Sequence, residues 1–156
     1  MSNPKTIKIN GKKITLKEFS EAKKLIVKHD LYLSGTGITT LPDSLHVEGS
    51  LDLSGTGITT LPDSLHVGGW LDLRGTGITT LPDSLHVGGW LYLDPYKVDF
   101  LPDNYMKIGC ENHSFGDWAG FNNSRIASME GKKALKFWKI WRDPLLNLCE
   151  SKRKNI

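Results

Sequence analysis

Two cysteines in 156 residues, Cys110 and Cys149, are too few for a disulfide-stapled scaffold and point to a reduced, cytoplasmic protein. No run of 18 apolar residues occurs, so no membrane span is expected. The opening Met1-Ser2-Asn3-Pro4 leads into lysines and lacks the apolar stretch of a secretory signal. Apolar residues make up only 38% of the chain, yet charged ones stop at 24%, so the composition is not that of a disordered chain. The length suits one domain or one repeat array and excludes a large multidomain enzyme.

A large net charge is also missing, but the +3 balance hides a segregation. Residues 1–30 carry eight Lys against three acids, and residues 31–90 carry Arg74 against six acids. Residues 111–156 carry nine basic and five acidic side chains. An acidic middle between basic ends argues against nucleic acid tracking along the middle.

What is abundant is repetition. Residues 31–50, 51–70 and 71–90 are near-copies, the last reading LDLRGTGITTLPDSLHVGGW, and a degenerate fourth copy fills 91–110. A fixed period of 20 predicts a solenoid of stacked parallel β coils. Within one copy, Leu71 and Leu73 alternate inward and Gly75 and Gly77 make a bend. Ile78, Leu81, Leu85 and Val87 then complete a narrow apolar interior, and Gly88-Gly89 closes the coil. Leu25-Ile26-Val27 falls in register with Leu45-His46-Val47, which starts the coil half a turn before residue 31.

Both ends of such an array need covers. Residues 6–15 read as a hairpin turning at Asn10-Gly11, and Thr15 to Glu18 reads as a capping box opening a helix to Lys24. At the other end an amphipathic helix is predicted over Lys132 to Arg142, followed by a separate helix, Leu145 to Lys152, started by Asp143-Pro144. The expected organisation is therefore an N-terminal cap at 1–30, four coils at 31–110, and a C-terminal helical cap with a basic tail at 111–156.

The string L-x-L-x-x-T-x-I-x-x-L-P resembles the short, 20-residue leucine-rich repeat of bacterial effectors that carries Leu-Pro, and similar arrays occur in phage and prophage proteins. The resemblance covers 31–110 and implies a leucine-rich-repeat-like, partner-binding solenoid. Thr36, Thr56 and Thr76 stand where that family has Asn. Some such effectors are ubiquitin ligases with a catalytic Cys two residues before an Asp. Cys110-Glu111-Asn112 and Cys149-Glu150-Ser151 do not match that pattern. Residues 111–156 resemble no family.

No residue pattern satisfies an enzyme checklist, and no cofactor is expected. Cys110 and His113 form half a zinc site at most. His46, His66 and His86 form a column that reads as repeat-copied surface, although a metal or mild acid would also act there. The informative positions are those at which the three close copies differ: Tyr32/Asp52/Asp72, Ser34/Ser54/Arg74, Glu48/Gly68/Gly88 and Ser50/Trp70/Trp90. Strand alternation turns positions 70, 72 and 74 outward along one strand edge. The predicted partner-binding set is Tyr32, Asp52, Trp70, Asp72, Arg74, Trp90, Tyr92 and Asp94. Exposed Trp, Tyr and Arg favour a protein partner, and the carboxylates favour a basic or nucleic-acid-binding one. Two alternatives are nucleic-acid binding through the basic ends and carbohydrate stacking on the Trp pair.

Overall fold

The computed structural model describes residues 5–154; the first four residues and the last two, the end of the basic tail included, lie outside it. Strands β1 (Thr6–Ile9) and β2 (Lys12–Thr15) pair antiparallel around Asn10-Gly11, both at positive φ as so tight a turn requires. Thr15 then caps α1 (Leu16–Glu21): its hydroxyl accepts the Glu18 N–H, and the Glu18 carboxylate accepts the Thr15 N–H at 2.7 Å. The helix stops at Glu21, three residues short of the sequence expectation, because Lys24–Val27 is taken as strand β3. The Asn10 side chain lies along the open side of β3, donating to the Ile26 carbonyl (2.7 Å) and accepting from the Lys28 N–H (2.8 Å). Occupying that edge blocks strand addition there.

The chain then coils through β4 (Leu31–Tyr32), β5 (Ser44–Val47), β6 (Leu51–Asp52), β7 (His66–Val67), β8 (Leu71–Asp72), β9 (His86–Val87) and β10 (Leu91–Tyr92). Odd-numbered strands from β3 to β9 form one parallel sheet, and β4, β6, β8 and β10 are parallel neighbours in a second. Each pairing is offset by twenty residues: Leu31 faces Leu51, Leu51 faces Leu71, and Leu71 faces Leu91. The result is a β-solenoid of three stacked turns. Leu51, Leu53, Ile58, Leu65 and Val67 are fully buried between the two sheets, and Leu61 nearly so. Gly55 turns the corner at φ +65°, after which the Thr56 hydroxyl donates to the Leu53 carbonyl at 2.7 Å. Thr36 and Thr76 repeat that bond, so a hydroxyl secures each bend.

The fourth copy does not make a coil. Residues 91–110 supply the single parallel strand β10, and then Pro95-Tyr96-Lys97 stands where the earlier copies carry Gly-Thr-Gly. The Leu93 N–H closes on the Tyr96 carbonyl (2.9 Å) and the chain reverses. Strands β11 (Lys97–Leu101), β12 (Tyr105–Ile108) and β13 (Glu111–Ser114) follow as an antiparallel meander, extending the second sheet to seven strands.

Helix α2 (Phe115–Gly120) follows β13, and together with β12 and β13 it repeats the opening unit ninety-nine residues on. Lys8-Ile9 corresponds to Lys107-Ile108, the N-cap Thr15 to Ser114, Glu18 to Asp117, buried Phe19 to Trp118, and the C-cap Ala22 to Phe121. Helix α3 (Asn123–Lys154) breaks at Glu130-Gly131 and runs unbroken past Pro144. The expected start of a new helix at Asp143-Pro144 is thus corrected. Proline forfeits one backbone bond, whereas the buried stripe Trp138, Trp141, Leu145, Leu148 keeps its helical period across it. Among the described residues no helix is long and apolar enough to cross a membrane.

Candidate functional site

The parallel edge β4–β6–β8–β10 and the residues just before each strand carry the aromatic side chains singled out above. They form a continuous ladder. Tyr32 and Trp70 have ring centroids 6.2 Å apart, Trp70 meets Tyr92 edge-on at 6.0 Å, and Tyr92 meets Trp90 edge-on at 6.3 Å. Edge-to-face contacts at these separations are attractive, so the rings hold one another in place. Tyr32 remains 57% exposed and Trp90 43%, while Trp70 is half-buried between its neighbours. The meander, which sequence reasoning did not foresee, adds Lys97 and Asp99. The Lys97 ammonium sits 3.8 Å from the centre of the Trp90 ring, and the Trp90 indole N–H donates to Asp99 at 3.1 Å.

The carboxylates do different work. Asp52 accepts from both the backbone N–H and the hydroxyl of Ser54, at 2.9 and 2.6 Å. Asp72 accepts the Arg74 N–H and is gripped by the guanidinium through Nε and Nη2. It is only 4% exposed, which corrects the expectation that it points outward to a partner. An Asp that bonds the amide two residues on folds back on its own turn, and Arg74 then covers it. Arg74 itself stays half-exposed, with its guanidinium carbon 5.0 Å from the Tyr92 ring centre. Asp94, exposed, accepts the Gly75 N–H at 2.7 Å and so ties the meander to the coil beneath.

Part of the variation among copies has a packing cause. A Cβ on Gly68 would overlap the Glu48 carbonyl oxygen, and one on Gly88 would overlap that of Gly68. Ser50 is buried, donating its N–H to Asp30 at 2.8 Å and accepting the Trp70 N–H at 3.1 Å. Positions 48 and 50 therefore answer to the start of the stack. The changes at 32/52/72 and 34/54/74, and the Trp at 70 and 90, remain as changes on the open face.

Elsewhere the chemistry-bearing residues stay apart. His46, His66 and His86 stack face to face at 4.1 Å, a geometry that aligns the rings rather than converging them on one ion. Burial and the neighbouring imidazoles push His66 below the usual histidine range, and burial, Lys152 and His46 push His86 down too. Cys110 is exposed, whereas Cys149 is buried against Met106, its thiol pushed up to about 12 by desolvation. His113 pairs with Glu111 at 2.9 Å instead of with a cysteine. Among the described residues no three His, Cys, Asp or Glu side chains gather as a ligand set. At the basic C-terminal end, Lys152 is drawn over the Phe100 ring at 4.8 Å, half out of water. Comparison of the chain with protein-family models, with curated proteins and with solved structures found no match.

Proposed function

We propose that this chain is a non-enzymatic protein-binding module that works through the aromatic strand face. The observation that supports the reading is the ladder Tyr32–Trp70–Tyr92–Trp90, which keeps two large aromatic side chains exposed across three stacked turns. Aromatic side chains already held in one rotamer bind at low entropic cost, and Tyr, Trp and Arg dominate interface energetics. Asp30, Asp52, Asp94 and Asp99 surround the ladder, against Arg74 and Lys97. That balance favours a partner with a basic, nucleic-acid-binding surface. The resemblance to leucine-rich-repeat arrays of bacterial and phage proteins makes the partner a bacterial defence or regulatory protein that this chain inhibits. A carbohydrate platform is disfavoured, because the Lys97 ammonium already occupies one face of Trp90.

The test is a titration of Tyr32→Ala, Trp90→Ala and His66→Ala against the protein captured from bacterial lysate. Each aromatic truncation is expected to cost about 2 kcal/mol of binding, roughly thirtyfold in affinity. Their melting temperatures should stay near wild type, as for surface substitutions. His66→Ala, in the other sheet, is expected to leave binding unchanged. Wild-type affinity in both aromatic variants would sink the assignment. Binding that collapses with salt and ignores sequence on random DNA would favour the basic ends instead.

A further inference from the structure

The β12–β13–α2 unit and the two segments of α3 enclose a cavity of about 220 Å³ that the strand face does not use. Ile108 and Trp118 form one wall, Ile126 and Met129 a second, and Phe137 and Trp138 a third. The second and third walls belong to opposite sides of the break at Glu130-Gly131, where Gly131 adopts φ +68° with open space around it. The rim is acidic: Glu130 accepts the Tyr96 hydroxyl, and Glu111 holds His113. Tyr96 keeps that proton, since burial and Glu130 push it up to about 12.

We propose that this cavity is a binding site for a small, uncharged aromatic molecule of one or two rings. The size fits, because dry apolar cavities near ~150 Å³ already take up benzene. Ring-lined walls favour a planar guest over a flexible chain. The carboxylates of Glu111 and Glu130 at the mouth outnumber the Lys133 ammonium, 5.6 Å from the Tyr96 ring centre, and so disfavour carboxylate-bearing aromatics and fatty acids. Met129, with its unbranched side chain, lets the wall adjust to the guest. The site is independent of the aromatic ladder, so its failure leaves the protein-binding reading untouched, and the reverse holds.

The experiment is a fluorine NMR titration of the full chain with 4-fluoroacetophenone, 4-fluorotoluene and 4-fluorobenzoate, monitored in parallel by tryptophan fluorescence. Saturable binding of the ketone and of the toluene is expected, and none of the benzoate. Ala134 also lines the cavity, and Ala134→Phe should fill it and abolish binding without lowering the melting temperature. If that variant fails to fold, intermolecular NOEs from the ketone to Ile126 and Met129 in the wild type locate the guest. Absence of saturable ketone binding overturns the proposal, as does unchanged binding to a folded Ala134→Phe. NOEs elsewhere overturn it equally. Benzoate binding as tight as the ketone refutes the role of the acidic rim.

Discussion

Replacing Gly68 with Ala tests how closely the turns are stacked. The added Cβ would fall on the Glu48 carbonyl oxygen, a backbone atom with no rotamer to swing away. Around it, Gly68 donates to the Val47 carbonyl at 2.8 Å and Gly69 to the Gly49 carbonyl at 2.9 Å. Relieving the overlap means parting two turns at the point where those bonds join them. Overpacking costs about 1–3 kcal/mol, and each of the two weakened bonds adds about 0.5–1.5 kcal/mol, giving roughly 2–6 kcal/mol in total. For a domain of this length that lowers Tm by about 6–18 °C. Gly55→Ala is the calibrant, since nothing lies within 4 Å of its Cβ and only its φ of +65° is unfavourable, at about 1–2 kcal/mol. Thermal and urea melts followed by circular dichroism would compare the two. If Gly68→Ala is no less stable than Gly55→Ala, the close stacking argued here is wrong.

Lowered pKa values at His66 and His86 mean that the unfolded chain binds protons more readily than the folded one just below the ordinary imidazole value of about 6.5. Stability should therefore be complete above that pH and fall as the medium is acidified through it, and His66→Gln should flatten a plot of Tm between pH 8 and 5. A Tm that rises on acidification would contradict the stacked column. Thiol titration with a disulfide reagent should label Cys110 at once, whereas Cys149 should react only when the chain unfolds. Equal labelling rates in the native protein would place Cys149 outside the core.

The coils were legible because one sequence feature fixes them repeatedly. Leu at 31, 51, 71 and 91 and Val at 27, 47, 67 and 87 can share an interior only in twenty-residue register, and those are the observed pairs. The meander was only half legible: Tyr96 in place of the repeat threonine marks the end of the array, but Leu91 and Leu93 continue the pattern and nothing local announces that the chain reverses into antiparallel strands. The second hairpin and α2 escaped notice although Ser114 and Asp117 repeat the spacing of Thr15 and Glu18. Their apolar partners had changed to Met106, Phe115 and Trp118, which hides the likeness. At the candidate face, strand alternation placed Tyr32, Trp70, Trp90 and Tyr92 correctly on one edge. It failed for Asp72, since alternation assigns a side of the strand and says nothing of a neighbour that folds over it. Pro144 misled for a related reason: local grammar favoured a new helix, and long-range burial of Trp141 and Leu145 prevailed.

Identical register at every step also makes the turns interchangeable. Removing residues 51–70 would join Ser50 to Leu71, and each leucine, valine and threonine of the shortened array would still find its own kind above and below. The two hairpin–helix units would meet the same surfaces as before. Array length is then a variable that can change in whole turns without redesigning either end. Each turn gained or lost would lengthen or shorten the open strand face by about 4.8 Å.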